Sequence, residues 1–211
     1  MPHTYILVDT ANTFFRARHV VRGDLNDKIG MSIHTVLGSV RKAWRDFNGS
    51  HVIFCLEGRS WRKDYYEPYK RQRAEARAAQ SPREAEEDRV FWETFDEFKG
   101  FIHDKTNCTV LHHPQLEADD LIAGWIQSHP EDQHIIISTD GDFAQLIAPN
   151  VKQYNGIMGV TITHEGYFDE KGKPVVDKKT KQPKDAPDPQ WLLFEKCMRG
   201  DTSDNIFSAY P

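Results

Sequence analysis

The chain has 211 residues, 38% of them hydrophobic, enough to bury one sizeable core, and a formal net charge of −5 from 27 Lys and Arg against 32 Asp and Glu. Its three cysteines, Cys55, Cys108 and Cys197, are scattered and form no CxxC pair, which excludes a disulfide framework or cysteine zinc site and points to a reducing cytoplasmic compartment. No apolar stretch approaches the length of a membrane span and the N-terminus lacks a signal-peptide pattern, so the expectation is a soluble intracellular protein with no membrane partner.

In chain order, Tyr5-Ile-Leu-Val-Asp9 reads as a short buried strand, followed by a predicted helix over 11–20 and another over 31–47. His51-Val-Ile-Phe-Cys-Leu56 is a second buried strand. Residues 58–80 break the alternation, because they interleave Arg59, Arg62, Lys63, Lys70, Arg71, Arg73 and Arg77 with Trp61, Tyr65, Tyr66 and Tyr69. The next helix, over 82–105, has a strong start: Ser81 as N-cap, Pro82 at the first helical position and Glu84 completing a capping box. Cys108-Thr-Val-Leu111 is a weaker strand and 117–129 a helix. His134-Ile-Ile-Ile-Ser138 is another buried strand, and 142–148 and 189–199 are helical candidates. Residues 165–189, rich in Lys, Asp and Pro, read as a turn or mobile hairpin and are assigned no chemistry. Continuous apolar strands separated by helices predict an α/β fold with a mostly parallel central sheet covered on both faces, in which ligands gather at the carboxyl ends of the strands.

Acidic residues occupy those ends. Asp9 and Glu57 follow apolar runs, and three clusters come later: Glu117, Asp119 and Asp120, then Asp140 and Asp142, then Asp201 and Asp204. Carboxylates held beside apolar strands need a positive partner. A pair of divalent ions is the simplest, and an oxygen-only set without matching His or Cys favours Mg²⁺, with Mn²⁺ able to substitute. Two such ions are the usual apparatus for in-line attack on a phosphodiester. The ten histidines form no HxxxH or Ser-His-Asp pattern. Each cluster also has an ordinary structural explanation. Glu117, Asp119 and Asp120 could favour the positive end of a helix dipole, Asp140-Gly-Asp142 could cap a turn, and Asp201 and Asp204 could cap a loop. The basic-aromatic stretch has two explanations as well, a solvated charged face or a surface that neutralises phosphates and stacks unpaired bases. Arg16 could reach a phosphate or pair with a neighbouring acid. The net negative charge does not exclude nucleic acid, since bound cations would reverse the local field.

The segments Asp9-Thr-Ala-Asn-Thr-Phe-Phe-Arg16, Tyr69-Lys70-Arg-Gln-Arg73, Leu116-Glu-Ala-Asp-Asp-Leu121, Ser138-Thr-Asp-Gly-Asp-Phe143 and Gly200-Asp-Thr-Ser-Asp-Asn205 resemble the consecutive signatures of the 5′-nuclease superfamily. This is the group of the polymerase I 5′–3′ exonuclease domain, flap endonucleases and the bacteriophage ribonuclease H and exonuclease enzymes. The bacteriophage branch is the nearest in flavour. The resemblance implies a PIN-like fold and two Mg²⁺ ions hydrolysing DNA or RNA strands from 5′ ends, flaps or primers. By motif position, Glu117 and Asp119 would hold the first ion, with Asp9 and Glu57 acting through water. Asp140, Asp142 and Asp201 would hold the second, supported by Asp120 and Asp204. Lys70 and Arg73 would contact the reacting phosphate at the base of a helical arch spanning 58–80, with Tyr69 stacking beside them. Arg16, Arg59, Arg62, Lys63 and Arg71 would complete the nucleic-acid contacts.

Two departures stand out: Glu57 replaces the family's usual Asp, and the sequence reaches Tyr210-Pro211 without the helix–three-turn–helix element that grips duplex DNA in this family. The expectation is therefore one catalytic domain over 1–211 lacking the duplex-binding element. It would be a monomer acting on DNA with 5′ ends or flaps or on RNA–DNA hybrid, with replication proteins as candidate partners, in the cytoplasm or, for a viral protein, that of the host. Two rivals stay open, a PIN-type endoribonuclease and a non-catalytic nucleic-acid-binding module of the same fold.

Overall fold

Alternating side chains on the apolar strands decide the architecture. In β1 (Thr4–Asp9), Ile6 and Val8 face one side of the sheet and Leu7 the other, and all three are fully buried. A strand with both faces covered lies inside a sheet with helices on each side. The computed structural model describes residues 2–20 and 23–210. Its remaining elements are α1 (Thr10–Val20), α2 (Leu25–Asp46), β2 (His51–Cys55), α3 (Arg62–Tyr65), α4 (Arg71–Ala78), α5 (Pro82–Lys105), β3 (Thr109–Leu111), α6 (Ala118–Ser128), β4 (Gln133–Ile137), β5 (Val151–Asn155), β6 (Val160–Thr163), β7 (Gly166–Asp169) and α7 (Pro189–Arg199), with short 3₁₀ turns at Gly141–Leu146 and Thr202–Asp204.

The sheet order is β3-β2-β1-β4-β5-β6-β7, parallel from β3 to β5 and antiparallel at β6 and β7. One face packs against α1, α2 and α5. On α5, Phe91, Phe95, Phe98 and Ile102 recur at helical spacing, and the Phe14 ring of α1 lies 5.0 Å from both Phe91 and Phe95. On the other face Leu7, Ile53 and Ile136 meet Ala118 and Ile122 of α6 and Phe143. The register sets Asp9 beside Cys55, Cys55 beside Leu111, and Val8 beside Ile137. Asp9, Glu57 and Ser138 therefore reach the same carboxyl edge.

Three expectations are corrected. Helix α2 starts at Leu25, not at 31, because Asp24 and Asp27 form a reciprocal capping box. The predicted helix at 142–148 is a 3₁₀ turn capped by Asp140. Residues 151–164, for which no element was expected, supply β5 and β6, and β7 opens the 165–189 stretch expected to be a turn or hairpin, where Asp169 and Asp177 each accept backbone N–H groups in turns. Among the described residues no helix is long and apolar enough to cross a membrane.

Gly58 joins β2 to the segment before α6. Its N–H donates to Leu116 O at 2.8 Å, and an added Cβ would stand 2.0 Å from His113 O and 2.7 Å from Leu116 O. Backbone atoms cannot swing aside as a side-chain tip can, so Gly58→Ala is expected to destabilise the protein by about 2–3 kcal/mol. Gly100→Ala, where nothing stands within 4 Å in a helix interior, should be neutral or mildly stabilising. Urea midpoints of the two variants check this, and equal midpoints would contradict the close approach at Gly58.

Candidate active site

The carboxyl edge carries two electrostatically different groups of acids. Asp9, Glu57 and Asp119 form the first. Asp9 ends β1 at 2% exposure, with Oδ2 accepting from Ser138 Oγ at 2.7 Å and Oδ1 from the Asn12 N–H at 3.4 Å. Burial, then Asp119 and Glu57 nearby, push its pKa well above the usual range. Glu57 accepts the Ala118 N–H at 3.3 Å and is also raised, by burial and then by Glu117. Asp119, in the first turn of α6, is pushed up to about 7 by burial, then by Glu57 and Asp140. Among the described residues none of the three has a Lys or Arg within 4.0 Å.

The second group is neutralised by the protein itself. Glu117 caps α6, and its Oε1 takes the Lys70 Nζ at 2.6 Å while Oε2 accepts from Ser60 Oγ, Tyr69 Oη and Arg62 Nη1 at 2.8–2.9 Å. Burial pushes Glu117 up, yet Lys70 and the hydroxyl donors outweigh it and the pKa lies below the usual value. Asp120 follows the same pattern, held low against burial by a two-pronged Arg62 contact at 2.8 and 3.0 Å. Asp204 pairs with Arg73 at 2.9 Å and lies 3.8 Å from Lys70, although burial still leaves its pKa raised.

Lys70 is the pivot. It has φ of +54°, a left-handed conformation uncommon for a residue with a side chain, and its N–H donates to Asp204 O at 3.0 Å. Gln72 Nε2 donates to the Thr202 and Ser203 carbonyls, and Asn205 Nδ2 to Pro68 O. The 68–73 segment is thereby tied to the C-terminal loop.

Sequence reasoning missed Lys196. Its Nζ lies 2.5 Å from both Asp142 Oδ1 and Asp201 Oδ2, and with Ser203 it pulls Asp201 down to about 2 against the effect of burial. A Lys in the last turn of a helix normally reads as a partner of the helix dipole, so the pattern gives no sign that it reaches back to two acids. Ser60, Asn12 and Gln153 were missed as well. Asn12 Oδ1 accepts from Thr139, and Gln153 Nε2 donates to the Ser138 and Asp140 carbonyls, fixing the turn that aims Asp140.

The basic-aromatic stretch divides by exposure. Tyr69 is 5% exposed and holds Glu117 with its hydroxyl, which corrects the expectation of a stacking ring; the exposed rings of this stretch are Trp61 and Tyr65, the latter 86% exposed. Arg62 is taken by Glu117 and Asp120 rather than turned to solvent. Arg59 pairs with Asp64, and Arg71 with Glu67 and Glu75, pairs that water screens strongly. Lys63 and Arg16 have no carboxylate within 4.0 Å among the described residues, and Arg16 is exposed on α1. Helix α4 buries no side chain, and Gln80 joins it to α5 by donating to Asp88, which also pairs with Arg18 of α1.

Whether the site suits a divalent cation can be read from its charges. Among the described residues no three Asp, Glu, His or Cys groups converge closely enough to grip an ion as they stand. Glu117 is turned to Lys70, and Asp142 to Lys196. Even so, Asp9, Glu57 and Asp119 repel one another without a cation of the protein in contact, and their oxygens are the hard donors that Mg²⁺ and Mn²⁺ take. The donor set fits.

A sheet of this order with acids along its carboxyl edge defines an α/β protein with a polar site at its strand ends. Residues 4–178 match the family described as 5'-3' exonuclease, N-terminal resolvase-like domain, and the chain belongs to that family. It is 28% identical over 199 residues to ribonuclease H of Enterobacteria phage T4, covering 87% of this chain and 56% of that protein. It is 28% identical over 217 residues to DNA polymerase I of Rhizobium leguminosarum, covering 95% of this chain and 18% of the polymerase. A 5'-3' exonuclease of Mycoplasmopsis pulmonis is 25% identical over 205 residues, covering 96% of this chain and 60% of that one. The chain thus spans 60% or less of these relatives. Among solved structures, bacteriophage T5 5'-exonuclease with bound zinc superposes with a TM-score of 0.76 at 22% identity, over 99% of this chain and 70% of that one. T5 flap endonuclease in complex with DNA and metal ions gives 0.68 at 20% identity, with the same coverage.

Proposed function

We propose that the chain is the catalytic part of a divalent-metal-dependent 5′ nuclease that hydrolyses phosphodiester bonds in DNA or RNA–DNA hybrid at 5′ ends or flaps. The observation that carries this reading is the mutually repelling trio of buried Asp9, half-buried Asp119 and solvent-facing Glu57, none of which has a Lys or Arg in contact among the described residues. Bound Mg²⁺ ions would lower the pKa of the attacking water and stabilise the leaving oxygen. Glu117 holds Lys70 and Tyr69 in place, and Lys70 and Arg73 supply positive charge for the reacting phosphate. Asp140 and Asp142, on a turn stiffened by Gln153 and the Asp140 cap, supply with Asp201 the second set of donors. Trp61 and Tyr65 offer faces on which unpaired bases can stack, and Arg16 and Lys63 offer charge for phosphates.

A second reading, a binding module without turnover, draws on the four side chains that already engage Glu117. A 5′-labelled flap oligonucleotide separates the two. Cleavage is expected with Mg²⁺ and none with excess EDTA, and binding without cleavage under both conditions would establish the module.

A further inference from the structure

The Lys196 ammonium sits between two acids that the nuclease reading assigns to the second ion. Helix α7 buries none of its side chains, so packing alone does not fix where this lysine points. What fixes it is Asp142 on the 141–146 turn, packed against α7, and Asp201 five residues further on, each 2.5 Å from Nζ. No other Lys or Arg lies within 4.0 Å of either acid among the described residues. In the metal-free protein this single charge prevents the two carboxylates from repelling one another across the turn.

We infer that Lys196 is a built-in occupant of the second cation site, and that a divalent ion takes Asp142 and Asp201 only by expelling its ammonium. The inference rests on the nuclease reading of these acids and adds what that reading lacks, a reason for the two ions to bind unequally. Asp9, Glu57 and Asp119 have no internal cation to displace and fill first. The second position is contested, since two charge-assisted hydrogen bonds must break as it fills. An expelled Lys196 is then free to take a phosphate, so loading of the second ion and capture of the backbone become one exchange of partners.

Mn²⁺ titrations followed by electron paramagnetic resonance and calorimetry test this on the wild type, Lys196→Gln and Lys196→Arg. The expected wild-type result is one tighter and one weaker ion. Lys196→Gln should tighten the weaker step by about tenfold or more and leave the tighter one unchanged, while Lys196→Arg keeps the wild-type pattern. A merely structural lysine would instead weaken the second step when removed, and an unchanged second step in Lys196→Gln overturns the inference as surely. Reductive methylation of the wild type, read by mass spectrometry, needs no variant: Lys196 should be protected without metal and labelled with saturating Mn²⁺, and equal labelling contradicts displacement. Two ions bound without these differences would overturn the inference and leave the nuclease reading standing. The absence of any Mn²⁺ binding would overturn both.

Discussion

Asp119→Asn is expected to reduce cleavage of a 5′-flap substrate at saturating Mg²⁺ by about a thousandfold or more, while raising the melting temperature of the metal-free protein. Both effects have one cause. Asp119 is half-buried and crowded by Glu57 and Asp140, which together push its pKa up to about 7, so its charge strains the fold near neutrality. An amide of the same shape removes that charge and relieves Asp9 and Glu57 as well. It also removes a donor from the cation site. Substrate affinity should change little, because Lys63, Arg16 and Arg73 are untouched. Single-turnover cleavage, oligonucleotide binding and a thermal melt on the same preparation check this. Near wild-type turnover would exclude Asp119 from the ion site, and a lower metal-free melting point would show that the crowding is not felt.

The second large effect is a pH dependence that metal largely removes. Asp9, Glu57 and Asp119 have folded-state pKa values above their unfolded ones, so the stability they contribute is full below about pH 4 and is lost as pH rises through the window that reaches about 7 at Asp119. Glu117, Asp120 and Asp201 have the opposite sign: their contribution is present above about pH 4 and disappears in acid, Asp201 last, at about 2. The metal-free protein should be most stable near pH 5 and melt roughly 5–10 °C lower at pH 8. Saturating Mg²⁺ should recover most of that loss at pH 8 and very little at pH 5, where protons compete for the same oxygens. A metal-free melting point that is flat from pH 5 to 8 would contradict the raised values, and one that Mg²⁺ leaves unchanged at pH 8 would contradict the cation site.

Much of this was legible in the sequence wherever one physical effect dominated. The buried strands β1, β2 and β4 stand out because both faces need apolar residues. Helix α5 falls on 82–105 because Ser81, Pro82 and Glu84 determine its first turn. The positions of Asp9, Glu57 and Asp140, at or just past strand ends, could be read from the order of apolar runs and acids. Strands β5 to β7 were hidden because they pair at the antiparallel end of the sheet, where Lys152, Gln153 and Thr161 interrupt the apolar pattern. The first turn of α2 was hidden by an acid in the place where a capping box usually carries Glu or Gln. The roles of Lys196, Arg62 and Tyr69 were out of reach for a different reason. Each depends on a side chain reaching an acid on another element, and neither periodicity nor spacing encodes that reach.

The stitching of residues 68–73 to the loop at 202–205 also has a bearing on how the chain is made. The bonds from Gln72 to Ser203 and from Arg73 to Asp204 each span 131 positions, whereas the parallel sheet from β3 to β5 can close once Asn155 is available. A ribosome-bound chain would therefore hold its central sheet while Lys70 and Arg73 still lacked Asp204 and the Asp142–Lys196–Asp201 bridge was missing. Contacts of such long sequence separation form late. Lys70 and Arg73 are thus held in place only after residues 196–205 have been made, so the order of synthesis completes the sheet before its acidic edge.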